Sequence, residues 1–131
     1  MRWLSKLDGL TYAAMRLVVG ALFACHGAQK LFGVLGGTKM TGNSFMLAAG
    51  VIEFGCGILI AIGLATSIAA FLASGEMAVG YFKSHAPHGF WPIQNKGELA
   101  VAYCFVFLFI AAHGAGLLSL DGARGRGRSK R

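Results

Sequence analysis

The chain has 131 residues, 56% of them hydrophobic and only 13% charged, with a formal net charge of +7 and a mean hydropathy of +0.63. An ordinary soluble domain carries about 25% charged residues, so this composition excludes a water-bathed globule and points to a lipid bilayer as solvent. The charge does not point to nucleic acid either. Five of the twelve basic residues, Arg124, Arg126, Arg128, Lys130 and Arg131, crowd a Gly-rich ending that has no aromatic side chains for bases to stack on.

Four spans are expected, at about 20 apolar residues per crossing. The first covers residues 10–32 and is too long, without a clear small-residue cleavage site, to be a removable signal peptide. A Gly- and Thr-containing stretch with Lys39 follows. The second span covers residues 45–64, and a turn at 65–67 is short enough only for an antiparallel hairpin. The third covers residues 68–82. Residues 83–97 form the longest connection, and the fourth span covers residues 98–120. Residues 1–121 thus read as one transmembrane domain, and 122–131 as a disordered basic tail.

Arg2, Lys6 and the tail outweigh Lys39, Lys83 and Lys96 of the opposite loops, which predicts both termini cytoplasmic. Helices satisfy their own backbone groups, as lipid demands. Small residues recur at Gly50, Gly55, Gly57, Gly63, Gly75, Gly80, Gly114 and Gly116, where they let helix backbones approach closely. The expected architecture is all-α: an integral membrane four-helix bundle, up-down-up-down. Cys25, Cys56 and Cys104 form no CxxC pair and read as small buried hydrophobes.

Function is sought in the ionisable residues inside or at the edge of these spans: Arg16, His26, Lys30, Glu53, Glu76 and Glu98. A charge in hydrocarbon costs at least about 2.5 kcal/mol, so such groups face a protein interior or a wet cavity. On a helix, Arg16, His26 and Lys30 fall within a sector of roughly 80°. The expected pairings are Arg16 with Glu76 or Glu53, and Lys30 or His26 with Glu53 or Glu98. Two readings follow. The pairs fix only helix register, or they line a pocket for a small ligand such as a quinone, or a proton path.

The outer loop contributes His85, His88 and Trp91. Two His at i, i+3 fall short of the three or four ligands a metal site wants, so no metal is expected. Phe90 and Trp91 read as headgroup-depth anchors, and His113 as a packing histidine. The sequence holds no nucleotide loop, nucleophile elbow or Cys/His triad, and no recognisable haem, flavin or iron–sulfur site.

The segments RLVVGALFACHGAQKLFG (16–33), IEFGCGILIAIGLAT (52–66), MAVGYFKSHAPHGFWP (77–92), NKGELAVAYCFVFL (95–108) and GAGLLSLD (114–121) resemble the DoxX family of small bacterial membrane proteins. Cys56 stands where a second glycine is common, and Gly80 where alanine is common. The resemblance implies four transmembrane helices in the bacterial inner (plasma) membrane. It also implies kinship with subunits associated with thiosulfate:quinone oxidoreductase, with a terminal quinol oxidase and with an oxidoreductase complex of thiol and superoxide stress. It carries Arg16, His26, Lys30, Glu53, Glu76 and Glu98 over as candidate site residues. The expected role is a quinone-proximal or accessory subunit of a membrane redox complex, whose electrons come from a partner subunit. The alternatives are a self-associating or assembly subunit whose charges pair only internally, and a small-solute transporter.

Overall fold

The computed structural model describes residues 1–129, and no strand occurs among them. The order is α1 (Arg2–Ser5), α2 (Asp8–Phe32), α3 (Ser44–Ile62), α4 (Thr66–Gly80), α5 (Pro92–Asn95), α6 (Glu98–His113) and α7 (Leu120–Ser129). Between α4 and α5 the chain runs through a π-helical turn, Tyr81–His85, and a 3₁₀ turn, Ala86–His88. Two helices, α2 and α3, are long and apolar enough to cross a membrane, and α6 is apolar but shorter.

Local chemistry explains the helix ends. Gly33 takes the left-handed conformation after α2 and its N–H returns to the Gln29 carbonyl. Gly63 does the same after α3, where the Leu64 N–H also reaches the Leu59 carbonyl, a Schellman ending. The Asn43 side chain accepts from the Met46 N–H and caps the start of α3. The first turn of α4 has no cap of its own. It borrows one from across the fold: the Asp121 carboxylate accepts from the N–H groups of Ala65 and Thr66 and from the Thr66 hydroxyl, at 2.9–3.0 Å.

The helices pack in two tight antiparallel pairs. Along α2 and α3 the contact is made by glycines spaced seven apart on each helix. A Cβ at Gly20 would lie 2.6 Å from the Ala61 N and 2.8 Å from the Gly57 O, one at Gly57 would lie 2.5 Å from the Ala24 N, and Gly27 meets Gly50 and Phe54 in the same way. The backbones touch, as small residues allow where lipid offers no hydrophobic force. Gly55, Gly75 and Gly80, read as contact glycines from sequence, face open space. In the second pair the Ser74 hydroxyl of α4 donates to the Cys104 carbonyl of α6 at 2.8 Å.

The two pairs are held together by larger side chains. Phe23 of α2 packs on Tyr103 and Phe107 of α6, and Tyr12 on Phe109 and His113, with Tyr12 and His113 centroids 3.9 Å apart. The buried interior is rich in Ala, Gly and aromatic residues and includes the polar Arg16, Glu53, Thr66 and Ser74, while Leu17, Leu22, Val51, Ile68, Phe71, Val79, Phe105 and Phe109 are exposed. An apolar exterior around a polar-containing interior suits lipid as the surrounding phase.

Two segments differ from expectation. The fourth long helix ends at His113, not at residue 120, because Gly114, Gly116 and Leu118 all take positive φ. The tail, expected without structure from residue 122, is helical to Ser129, its first turn tied down by Asp121 and by the Asp121 N–H donating to the Gly63 carbonyl. Lys130 and Arg131 of that tail lie outside the described residues.

Candidate functional site

The six charged candidates do not form one cluster. Arg16, 1% exposed, meets no carboxylate among the described residues. Its Nε donates to the Ile60 carbonyl at 3.0 Å, Nη1 to Ala115 and Leu117, and Nη2 to Leu118 at 2.7 Å and Ala61 at 3.5 Å. The expected Arg16–Glu76 or Arg16–Glu53 pair is therefore corrected. A guanidinium has five N–H donors in a fixed fork, and five carbonyls take them. Two of these come from the last turn of α3, the negative end of its dipole; the Ile60 carbonyl also accepts from the Gly63 N–H. The other three come from the irregular 114–118 segment, whose positive φ values turn its peptides inward. Arg16 is thus a structural knot tying α2, α3 and the end of α6.

Lys30 and Glu53 do pair. Lys30 Nζ contacts both carboxylate oxygens, at 2.5 and 2.6 Å; the Glu53 side chain is 3% exposed and that of Lys30 20%. The pair bridges α2 and α3 beside the Gly27–Gly50 contact, where backbone closeness brings a long and a medium side chain within reach.

This pair forms one wall of a cavity of about 240 Å³ lined by Phe23, His26, Lys30, Glu53, Met77, His85, Lys96, Leu99, Ala100 and Tyr103. The cavity opens because the α2–α3 and α4–α6 contacts are tight while α2 and α6 stand apart across an aromatic layer. His26 sits edge-on to Tyr103, with centroids 6.1 Å apart. His85 enters from the π-helical turn, a feature that frequently marks functional sites. Its Nδ1 lies 3.2 Å from the Asn95 carbonyl. A carbonyl only accepts, so the N–H is on Nδ1, and in the neutral ring Nε2 is left as an acceptor.

Asn95 holds this end in place. Its amide donates to the Tyr81 hydroxyl and the Gly89 carbonyl, and its oxygen accepts from the Gly97 N–H. Lys83 Nζ lies 3.7 Å above the ring of Phe45, which borders a different groove. Lys96, Tyr103 and Asn95 are additions that spacing alone gave no reason to single out.

The remaining candidates lie elsewhere. Glu98 is exposed and lines a shallow groove with Lys96, Leu99 and Pro92 at the cavity's rim. Glu76 lies on α4 in a different, apolar groove, and its Oε2 is buried without a hydrogen-bond partner. His88 and Trp91 are exposed, and His88 Nδ1 lies 3.1 Å from the Ser84 carbonyl. Cys25 is exposed, unlike the buried Cys56. Among the described residues no three His, Cys, Asp or Glu side chains gather as a metal site would need.

The chain matches the DoxX family over residues 11–86, a stretch that carries Arg16, His26, Lys30, Glu53, Glu76 and His85. It belongs to the DoxX family. A DoxX chain is a membrane protein, in keeping with the apolar exterior. A Haemophilus influenzae (strain Rd) protein described as uncharacterized is 41% identical over 128 residues, covering 92% of this chain and 96% of that protein. No solved structure matches.

Proposed function

We propose that this DoxX protein crosses a bacterial inner membrane four times as an up-down-up-down bundle with both termini cytoplasmic, and that its cavity holds a quinone headgroup beside a larger redox complex. The observation that carries the reading is the meeting of His26, Lys30, Glu53, His85 and Tyr103, from four separate parts of the chain, around a space walled by Phe23, Met77 and Leu99. A few convergent polar groups on apolar walls are what a small-ligand site requires. The volume is below the roughly 300–1,000 Å³ of drug-sized sites, so it suits a single ring whose isoprenoid tail leaves between the helices.

In this reading His26 and the Tyr103 hydroxyl donate to a ring carbonyl. The His85 Nε2 accepts from the hydroxyl of the reduced form. The Lys30 ammonium, already on Glu53, supplies the field that favours a partly negative ring oxygen. Glu98, exposed at the rim, is where protons pass to water. Electrons come from a partner subunit. The basic residues at both ends, Arg2, Lys6, Arg124 and Arg126, support the orientation.

One observation favours the rival, a structural or assembly subunit. Lys30 and Glu53 satisfy one another without a ligand, and such pairs can serve to set register. Native mass spectrometry of the gently purified protein, with the Lys30→Met, Glu53→Leu double variant as comparison, separates the two. A quinone that co-purifies with the wild type and is lost from a stably folded double variant supports the ligand site. Absence of any quinone from the wild type, or its retention by the double variant, refutes it.

A further inference from the structure

The internal charges of the helices do not pair off within the described residues. Arg16 is fully committed to five carbonyls and Lys30 to both oxygens of Glu53. Glu76 is left over. It makes no salt bridge among the described residues, and its Oε2 is buried and unpartnered. A buried carboxylate oxygen with no donor costs several kcal/mol in an apolar setting, and native structures rarely leave one without a reason.

The surroundings indicate what is missing. Glu76 lines a groove of about 410 Å³ between α3 and α4, whose other walls are Phe45, Ala48, Ala49, Ile52, Phe71, Leu72, Gly75 and Val79. The volume lies within the range of small-molecule sites, and one polar group on an apolar surface is the usual way such a site fixes orientation. Three of the walls, Phe71, Leu72 and Val79, are exposed on the apolar exterior, so entry is from the lipid side and not through the quinone cavity. Two phenyl rings border the groove; Lys83 Nζ lies 3.7 Å above Phe45, and the exposed Phe71 presents the other ring, whose face attracts cations.

We propose that the α3–α4 groove is a second binding site, for a lipophilic organic cation that enters from the bilayer and is neutralised by Glu76. The apolar body of such a ligand covers Ile52, Phe71 and Val79, and its charge supplies the partner that Glu76 lacks among the described residues. Facing Glu76 are Glu53 and Cys56 from α3 and Lys30 from α2. Lys30 and Glu53 cancel, so the carboxylate at Glu76 is the net charge of this region. A proton is the natural competitor for it, so cation binding weakens as the medium is acidified. The site is independent of the quinone reading and survives its failure.

The test uses the full chain in detergent micelles with tetraphenylphosphonium as probe and triphenylphosphine oxide as uncharged control. Equilibrium dialysis is expected to give saturable one-to-one binding of the cation, weaker at about pH 5 than at about pH 8. Glu76→Gln is expected to bind about tenfold more weakly or worse, while Glu76→Asp retains binding. In the wild type, dicyclohexylcarbodiimide is expected to modify Glu76, read by peptide mass, and tetraphenylphosphonium to protect it; this arm needs no variant. Equal binding of the uncharged control, binding unchanged in a folded Glu76→Gln variant, or labelling of Glu76 that the cation does not slow would each overturn the proposal.

Discussion

Arg16→Lys keeps the positive charge and most of the length, and so isolates the fork. Lysine has three donors where arginine has five. At least two of the five carbonyls on Ile60, Ala61, Ala115, Leu117 and Leu118 then lose their donor. One loss falls on a strong, charge-assisted bond of about 1.5–3 kcal/mol. The other can fall on the 3.5 Å contact to Ala61, worth about 0.6 kcal/mol by the average for interhelical bonds in membranes. The expected destabilisation is about 2–4 kcal/mol. Chemical unfolding in mixed micelles, followed by circular dichroism, measures it. Limited proteolysis provides a second readout, because without the fork the carbonyls of Ala115, Leu117 and Leu118 lose the donor that holds them, and the segment keeps only its bonds at Gly114, Gly116 and Ser119. A loss below about 0.5 kcal/mol with unchanged protection of this segment would refute the claim that the fork organises it.

Gly27→Ala is expected to cost about 2 kcal/mol or more, because its Cβ would run into the Phe54 and Gly50 backbone. Gly55→Ala, on open space, is expected to be neutral or to stabilise by up to about 1 kcal/mol, and thermal melts of the two in one detergent check the contrast. Lys30→Met alone leaves Glu53 buried without a counter-charge and is expected to melt lower than the Lys30→Met, Glu53→Leu double variant. Asp121 titrates below the ordinary carboxylate range, chiefly because its carboxylate accepts from the Thr66 N–H. Its contribution to stability is therefore present above the unfolded value near pH 4 and is lost as pH falls through the lower folded value. The melting difference between wild type and Asp121→Asn is expected to be present at neutral pH and to shrink below about pH 4.

Much of the framework was legible in the sequence. The apolar runs place α2, α3 and α4 near their observed ends, and Gly33 and Gly63 mark two stops by residue type alone. Charge sign and depth offered Lys30 with Glu53 as one of several pairings and could not choose among them. The rest was hidden for physical reasons. Arg16 seemed to need an acid because a sequence displays side-chain charges and not peptide dipoles. Its partners exist only because residues 114–118 leave helical geometry, and their apolar composition reads as more helix; Gly114 and Gly116 were the available signal. Gly20 and Gly27 went unread although they mirror the Gly50 and Gly57 spacing, a match that appears only when two helices are compared in opposite directions. His85 joins the cavity through one extra residue in a helical turn, which leaves no mark in hydrophobic periodicity.

The guanidinium of Arg16 and the Ala115 carbonyl it binds are 99 residues apart in the chain. At about 5–20 residues per second of translation, Arg16 on α2 is made roughly 5–20 s before its last three acceptors exist, while the Ile60 and Ala61 carbonyls follow in about half that time. During the rest of that interval the cation has only the Ile60 and Ala61 carbonyls for partners. A chain that lacks residues 115–118 therefore keeps a buried guanidinium short of three of its five acceptors.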